Sequence, residues 1–122
     1  MFGKFALPAA VAALLLAAGC RSLPPSKPLD QLAPQESAGR LIFQQRCASC
    51  HYANSERALH GPGLQAILKE PYLPSGQPAN DERVTAVILH GRGNMPALGN
   101  QLSGSPEADQ QLSDLLAYLH TI

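Results

Sequence analysis

The chain has 122 residues and carries 9 basic and 9 acidic side chains, which gives a formal net charge of zero at pH 7. This balance leaves no excess of cations for a phosphate backbone, so we expect no nucleic-acid partner. Only 15% of the residues are charged and only 5% are aromatic. A small domain of this composition has a thin core, and we expect a buried cofactor to supply the missing apolar mass.

The beginning of the chain has the pattern of an export signal. Lys4 provides a positive start, and residues 5–18 form an apolar run rich in Ala and Leu, as in secretory signal peptides. The run is short for a membrane-spanning helix, which needs about 20 apolar residues, and Pro8 interrupts it. Residues 16–20, LAAGC, resemble a bacterial lipobox, in which the cysteine becomes the lipidated first residue of the mature chain.

The cysteine count supports lipidation of Cys20. The chain has 3 cysteines, the motif described below uses two, and an odd thiol is a liability in an oxidising compartment. The alternatives are a cleaved signal in which Cys20 is incidental, or an uncleaved anchor. We divide the chain into a lipoprotein-type signal peptide at residues 1–19, a Pro-rich tether at residues 20–35 and a folded domain at residues 36–122.

The tether contains four prolines and little apolar periodicity. Such a segment favours an extended linker of about 3.1 Å per residue, which could hold the domain roughly 40 Å from a membrane. Ordinary disorder explains the composition equally well. In either case we expect the tether to lie outside the fold. Its prolines are Pro24, Pro25, Pro28 and Pro34.

Residues 47–51, CASCH, form the C-x-x-C-H motif of covalent haem attachment. Cys47 and Cys50 lie about one helical turn apart, so both sulfurs can bond to vinyl groups on one edge of a porphyrin. His51 follows immediately and is the predicted proximal ligand of the iron. The alternatives, a thioredoxin-like dithiol or a structural zinc site, do not use the adjacent histidine.

Helical patterns surround the motif, and no alternating strand pattern is visible. The first predicted helix covers residues 35–46; Pro34 suits its first turn, and Ala38, Leu41, Ile42 and Gln45 fall on one face. Gly39 and Phe43 share another face, where the glycine favours a close helix contact. We therefore predict an all-α domain with three main helices around one covalent haem.

The other two predicted helices have clear end signals. Asn80 is a candidate N-cap for a helix that ends before Gly91 and has Val84, Val87 and Ile88 as its apolar stripe. Ser105 and Pro106 begin the last helix, whose stripe is Leu112, Leu115, Leu116 and Leu119. The stretch from Gly91 to Gly99 is rich in Gly and Pro, and we expect no regular helix there.

Met95 is the candidate for the sixth iron ligand. It is the single methionine after the signal and lies in a loop that is a poor place for ordinary core packing. The alternatives are Met95 as a flexible core residue and ligation by another histidine, namely His60, His90 or His120. A ligating imidazole usually donates its other N–H to an oxygen, and the carbonyl of Pro62 is our candidate acceptor.

The chain from about residue 36 to residue 122 resembles a class I monohaem cytochrome c. The resemblance implies that the first and last helices cross at the glycine, that the proline carbonyl accepts from the proximal histidine, and that the methionine is the distal ligand. For the propionates, Tyr72 and Arg92 are candidates. The matching residues are Gly39, Phe43, Cys47, Cys50, His51, Gly61, Pro62, Leu64, Met95, Pro96, Tyr118 and Leu119.

Two protein ligands on the iron leave no position for a substrate, so we expect single-electron transfer and no enzymatic activity. The leading hypothesis is a periplasmic carrier, anchored by lipid to a bacterial membrane, that exchanges electrons with redox partner proteins through an exposed haem edge. One alternative is a permanent cytochrome subunit of a dehydrogenase or oxidase complex. Another is a haem-based gas sensor in which Met95 binds weakly.

Overall fold

The computed structural model describes residues 21–122, and this part of the chain is helical. A short 3-10 turn at Leu29–Gln31 precedes four α-helices. Within the described residues, β pairing is limited to isolated bridges. The helices are α1 Pro34–Arg46, α2 Asp81–His90, α3 Gly99–Leu102 and α4 Pro106–Leu119. The all-α prediction is confirmed, and so are the three main helices, which are α1, α2 and α4.

The first and last long helices, α1 and α4, cross closely at Gly39. A Cβ at this position would overlap the backbone carbonyl oxygen of Asp114 and lie 2.9 Å from the Cβ of Tyr118. One turn further along α1, Phe43 packs edge-on against Tyr118, with ring centroids 5.5 Å apart. The close contact expected at Gly39 is therefore present, and it brings the helices near enough for Phe43 to pack against Tyr118.

The apolar face predicted for α1 needs correction. The buried residues of this helix are Gly39 and Phe43, whereas Leu41 is 55% exposed and Gln45 is also exposed. The apolar spacing of Ala38, Leu41 and Ile42 suggested a second face, but the crossing with α4 decides which face is covered. Packing on the glycine side brings the two backbones closer than a face of larger side chains would allow.

The ends of α2 and α4 follow their capping residues. The side chain of Asn80 accepts a hydrogen bond from the Arg83 amide at 2.9 Å, and Ser105 accepts one from the Ala108 amide at 3.1 Å. These bonds satisfy amides that the first helical turn leaves without partners. The capped helices then contribute Val84, Ile88, Leu115 and Leu119 to the core.

One short helix was not predicted. The stretch from Gly91 to Gly99 was expected to contain no regular helix, and α3 begins at the last residue of that stretch and ends at Leu102, which is fully buried. The Ser103 hydroxyl donates to the Gly99 carbonyl at 2.7 Å and closes this turn. The sequence did not indicate α3, because helical periodicity cannot be read from four residues.

The tether contacts the domain, contrary to the expectation that it lies outside the fold. The Lys27 amide donates to the Thr121 carbonyl at 2.7 Å, and its ammonium group pairs with Glu36 at 2.7 Å. Lys69 donates to the carbonyl oxygens of Pro25 and Thr121, each at 3.3 Å. The tether therefore crosses the C-terminal end of the chain and contacts the segment that contains Lys69.

None of the helices within residues 21–122 combines the length and apolar character that a membrane crossing requires.

Candidate haem-binding site

The C-x-x-C-H motif folds as a tight turn at the end of α1. The Cys47 amide donates to the Phe43 carbonyl at 2.8 Å and continues the helical bonding by one residue. The amides of Cys50 and His51 both donate to the Cys47 carbonyl, at 3.0 and 2.9 Å. Backbone hydrogen bonds thus hold the two cysteines and the histidine in one compact turn.

All five residues predicted to hold the haem line the same cavity: Cys47, Cys50, His51, Pro62 and Met95. The cavity has a volume of about 750 Å³, within the range of small-molecule and cofactor sites. The tertiary fold brings together residues from three separate segments of the chain. Its walls are mainly apolar and include Phe43, Leu64, Ile67, Leu73, Pro74, Val84, Val87, Ile88, Pro96, Leu115 and Leu119.

The His51 ring is oriented by the loop that follows the motif. Its Nδ1 lies 2.8 Å from the carbonyl oxygen of Pro62. A carbonyl can only accept, so Nδ1 carries the hydrogen and Nε2 keeps a free lone pair. Gly61 packs against the same ring, because a Cβ there would overlap Cε1 and lie 2.9 Å from Nδ1. The ring is therefore held in the tautomer that an iron ligand requires.

The thiols of Cys47 and Cys50 are both free and partly buried. Burial, with a smaller contribution from the neighbouring Cys50, raises the pKa of the Cys47 thiol to about 11. Reactive dithiols of the thioredoxin type have lowered pKa values instead. The environment of Cys47 therefore opposes the dithiol alternative.

Met95 lies in the cavity wall on a short hairpin. Its amide donates to the Arg92 carbonyl at 2.9 Å, and its carbonyl accepts from the Arg92 amide at 3.1 Å. Arg92 itself also lines the cavity, while the other propionate candidate, Tyr72, is 65% exposed and does not contribute to the lining. The thioether is thus part of the same cavity as His51.

The remaining histidines occupy different places. His60 is exposed at the cavity, and His90 is the exposed last residue of α2. His120 pairs with Asp81, with Nε2 2.7 Å from the carboxylate oxygen. Within residues 21–122, no three His, Cys, Asp or Glu side chains are grouped to hold a metal ion. Of the alternative ligands, only His60 is in contact with the cavity.

A wall residue that the sequence reasoning missed is Leu73. It is only 8% exposed and lines the cavity, although it lies in a Pro-rich loop. Its amide donates to the Gln77 carbonyl at 2.8 Å, which closes the loop over the site. The available signal was a single leucine between Pro71 and Pro74, which is too short for any periodicity.

Cys20, the predicted lipidation site, is outside the described residues.

The donor set fits a covalently bound haem. Two thiols lie next to an oriented imidazole, and a thioether lies in the wall of the same apolar cavity. These are the groups that c-type haem ligation uses. The assignment of individual residues to these ligand positions stays a prediction.

Comparison with known families agrees with this donor set. Residues 34–119 match the family model described as cytochrome c oxidase, cbb3-type, subunit III. The chain belongs to this cytochrome c family. Covalent haem c, electron transfer and redox partner proteins are features of the family, whose members typically work outside the cytoplasm.

One relative gives a weaker match. The chain is 33% identical over 60 residues to cytochrome c-551 of Bacillus subtilis (strain 168). The match covers 49% of this chain and 46% of the relative. The chain thus matches less than half of that relative's length, and the similarity supports a cytochrome c.

Proposed function

We propose that this chain is a single-haem electron carrier in which Cys47 and Cys50 hold the haem and His51 and Met95 are the axial ligands. The observation that carries the proposal is the meeting of these four side chains at one apolar cavity of about 750 Å³. A haem bound there supplies reversible one-electron exchange between ferric and ferrous iron. With His51 and Met95 both as ligands, the iron would have no open position for a substrate.

The chain's own residues prepare the site for this role. The Pro62 carbonyl accepts a hydrogen bond from the Nδ1–H of His51 at 2.8 Å, which leaves Nε2 available and fixes the ring. The walls contributed by α1, α2 and α4 give the cavity a mainly apolar lining. An apolar environment, together with a methionine ligand, favours a higher reduction potential than a site with two histidines.

The test is a count of haems and electrons on the mature protein. We expect intact mass spectrometry under denaturing conditions to show one haem attached per chain. A redox titration should then follow a one-electron curve and return to its starting spectrum. Absence of covalent haem, or a second haem on the chain, would contradict this proposal.

We further propose that the carrier works in the periplasm, anchored by lipid on Cys20 after removal of residues 1–19. The support is the signal-like start and the odd cysteine. A fatty-acid label should enter the wild-type protein but not the Cys20→Ser variant, which should leave the membrane fraction. An unlabelled wild type, or a Cys20→Ser protein that stays membrane-bound, would exclude this anchor.

A second candidate function is a permanent subunit of an oxidase or dehydrogenase complex. The description of the matching family as an oxidase subunit favours it. Gentle solubilisation followed by size-exclusion chromatography separates the two candidates. The free carrier should elute at the size of the small chain in detergent, whereas a subunit should elute with a larger partner through several columns.

A further inference from the structure

The loop that carries Met95 is fixed to the end of α2 at both of its ends. On entry, the Gly91 amide donates to the Val87 carbonyl at 2.8 Å. On exit, the Leu98 amide donates to the Ile88 carbonyl at 2.9 Å. The loop therefore leaves and rejoins the same helical turn, and its position follows the position of α2.

Between these two attachments the chain forms a tight hairpin. Arg92 and Met95 exchange both backbone hydrogen bonds, at 3.1 and 2.9 Å. Gly93 has φ +55°, and a glycine with positive φ at the first central position is typical of a two-residue hairpin loop. The backbone of Met95 is thus held by the protein itself.

Gly91 is the point at which the hairpin closes against the helix end. A Cβ at this position would lie 2.6 Å from the Met95 carbonyl oxygen and 2.9 Å from the Ala97 amide nitrogen. Both neighbours are backbone atoms, so neither can move aside as the end of a flexible side chain could. Gly91 also has φ +73°, a conformation that a side chain disfavours.

We propose that Gly91 is a positioning residue for Met95: its missing side chain lets the hairpin fold back onto α2 and presets the thioether at the cavity before ligation. The inference rests on the proposed ligation by Met95. It adds that the loop's geometry comes from backbone packing and does not depend on the bond to iron. A larger residue at position 91 must push the Met95 carbonyl away and carry the thioether with it.

The chain offers matched control glycines. Gly76 and Gly104 lie in other loops, with φ +81° and +90°. Neither lines the cavity, and a Cβ at either position meets nothing within 4 Å. Gly76→Ala and Gly104→Ala therefore add the strain of a positive φ without the overlap that Gly91→Ala adds, which isolates the contact with Met95.

The experiment compares visible spectra of the three purified haem-loaded variants. We expect Gly91→Ala to lose the far-red ferric band of a methionine ligand and to bind carbon monoxide when reduced, while both controls keep the band and exclude the gas. A Gly91→Ala protein that keeps the band overturns the inference. So does a Gly104→Ala protein with the same loss, because the overlap at position 91 is then not the cause.

A second measurement covers the case in which Gly91→Ala does not fold. Amide hydrogen exchange is followed in the haem-loaded Met95→Ala protein, which lacks the ligand bond. We expect the amides of Arg92, residue 95 and Leu98 to stay protected relative to Gly93 and Asn94. Fast exchange throughout the loop would show that the iron, and not the packing at Gly91, holds it, and would overturn the inference.

The proposed function fails in a different way. If wild type and Met95→Ala have the same ferric spectrum, Met95 is not a ligand. If Met95→Ala loses the band while Gly91→Ala keeps it, ligation stands and only the positioning role of Gly91 is lost.

Discussion

The imidazole of His51 donates from Nδ1 to the carbonyl oxygen of Pro62, 2.8 Å away. The two residues are joined by a loop whose backbone is itself bound to the motif, because the Gly61 amide donates to the Cys50 carbonyl at 2.8 Å. One turn thus sets the tautomer and the direction of the ring. This arrangement leaves Nε2 as the ring nitrogen available to a metal ion.

Gly61→Ala should disturb His51 more than any other part of the site. The new methyl group would overlap Cε1 of the ring, so the ring must move away from Pro62. Overpacking of this kind costs about 1–3 kcal/mol. We expect a lower melting temperature with the haem still attached. Gly76→Ala, with open space at its Cβ, is the control. Equal melting temperatures of the two variants would contradict the packing of Gly61 on the His51 ring.

Gly39→Ala tests the crossing of α1 and α4. Its methyl group would overlap the Asp114 carbonyl oxygen in the partner helix, so the helices must separate and loosen the packing of Phe43 on Tyr118. We expect a loss of about 1–3 kcal/mol in the free energy of unfolding, measured by chemical denaturation. Ser37→Ala at an exposed position of the same helix should be close to neutral. A stable Gly39→Ala protein would contradict the crossing.

The pair formed by Lys27 and Glu36 predicts a dependence of stability on pH. The hydrogen bond from Lys27, and then that from the Ala33 amide, lowers the pKa of Glu36 below its ordinary value of 4.5. A carboxylate whose pKa is lower in the folded state stabilises the protein above its unfolded pKa. This contribution is present at neutral pH and disappears as the pH falls from 4.5 through the lowered value.

Lys27→Met should therefore lower the melting temperature at neutral pH more than in acid, where wild type has already lost the pair. Melting curves between about pH 7 and pH 3 test this difference. Arg83→Met, which removes an exposed cation from α2, is the control. Its difference in melting temperature from wild type should not disappear as the pH falls. Parallel curves for wild type and Lys27→Met would argue against the pair.

The docked tether gives a separate prediction from the backbone of Lys27. Lys27→Pro and Lys27→Met both remove the ammonium group, but only the proline removes the amide that donates to Thr121 at 2.7 Å. We expect Lys27→Pro to be less stable than Lys27→Met by about 0.5–1.5 kcal/mol, the net value of one hydrogen bond. A tether outside the fold predicts equal stability for the two variants.

The sequence was informative where the signal was local. Asn80 and Ser105 fixed helix starts because a cap needs only its own side chain and nearby amides. The prediction of which face of α1 is buried was wrong, because that face depends on how α4 approaches Gly39. The docking of Lys27 on Thr121 was missed for the same reason, since the acceptor lies at the far end of the chain. Leu73 closes the cavity through its loop partner Gln77, which no spacing rule indicates.

In the candidate site, too, local signals could be read from the sequence and long-range contacts could not. The spacing of Cys47, Cys50 and His51 indicated a haem directly, because all three residues lie within one turn. Met95 was predicted because it is the single methionine after the signal and lies in a Gly- and Pro-rich loop, and the resemblance implied the same role. The hairpin that holds it was not predicted, since it depends on backbone contacts with Gly91 and α2. Lipidation of Cys20 remains a prediction of the sequence.

The most direct test of the central claim is the visible spectrum of the purified protein, ferric and then ferrous, before and after carbon monoxide. Ligation by His51 and Met95 predicts a far-red ferric band and a ferrous spectrum that the gas does not change, with both features lost in Met95→Ala. Ready binding of carbon monoxide by the wild-type protein would mean that the sixth position is open or labile, and would contradict the electron-carrier account.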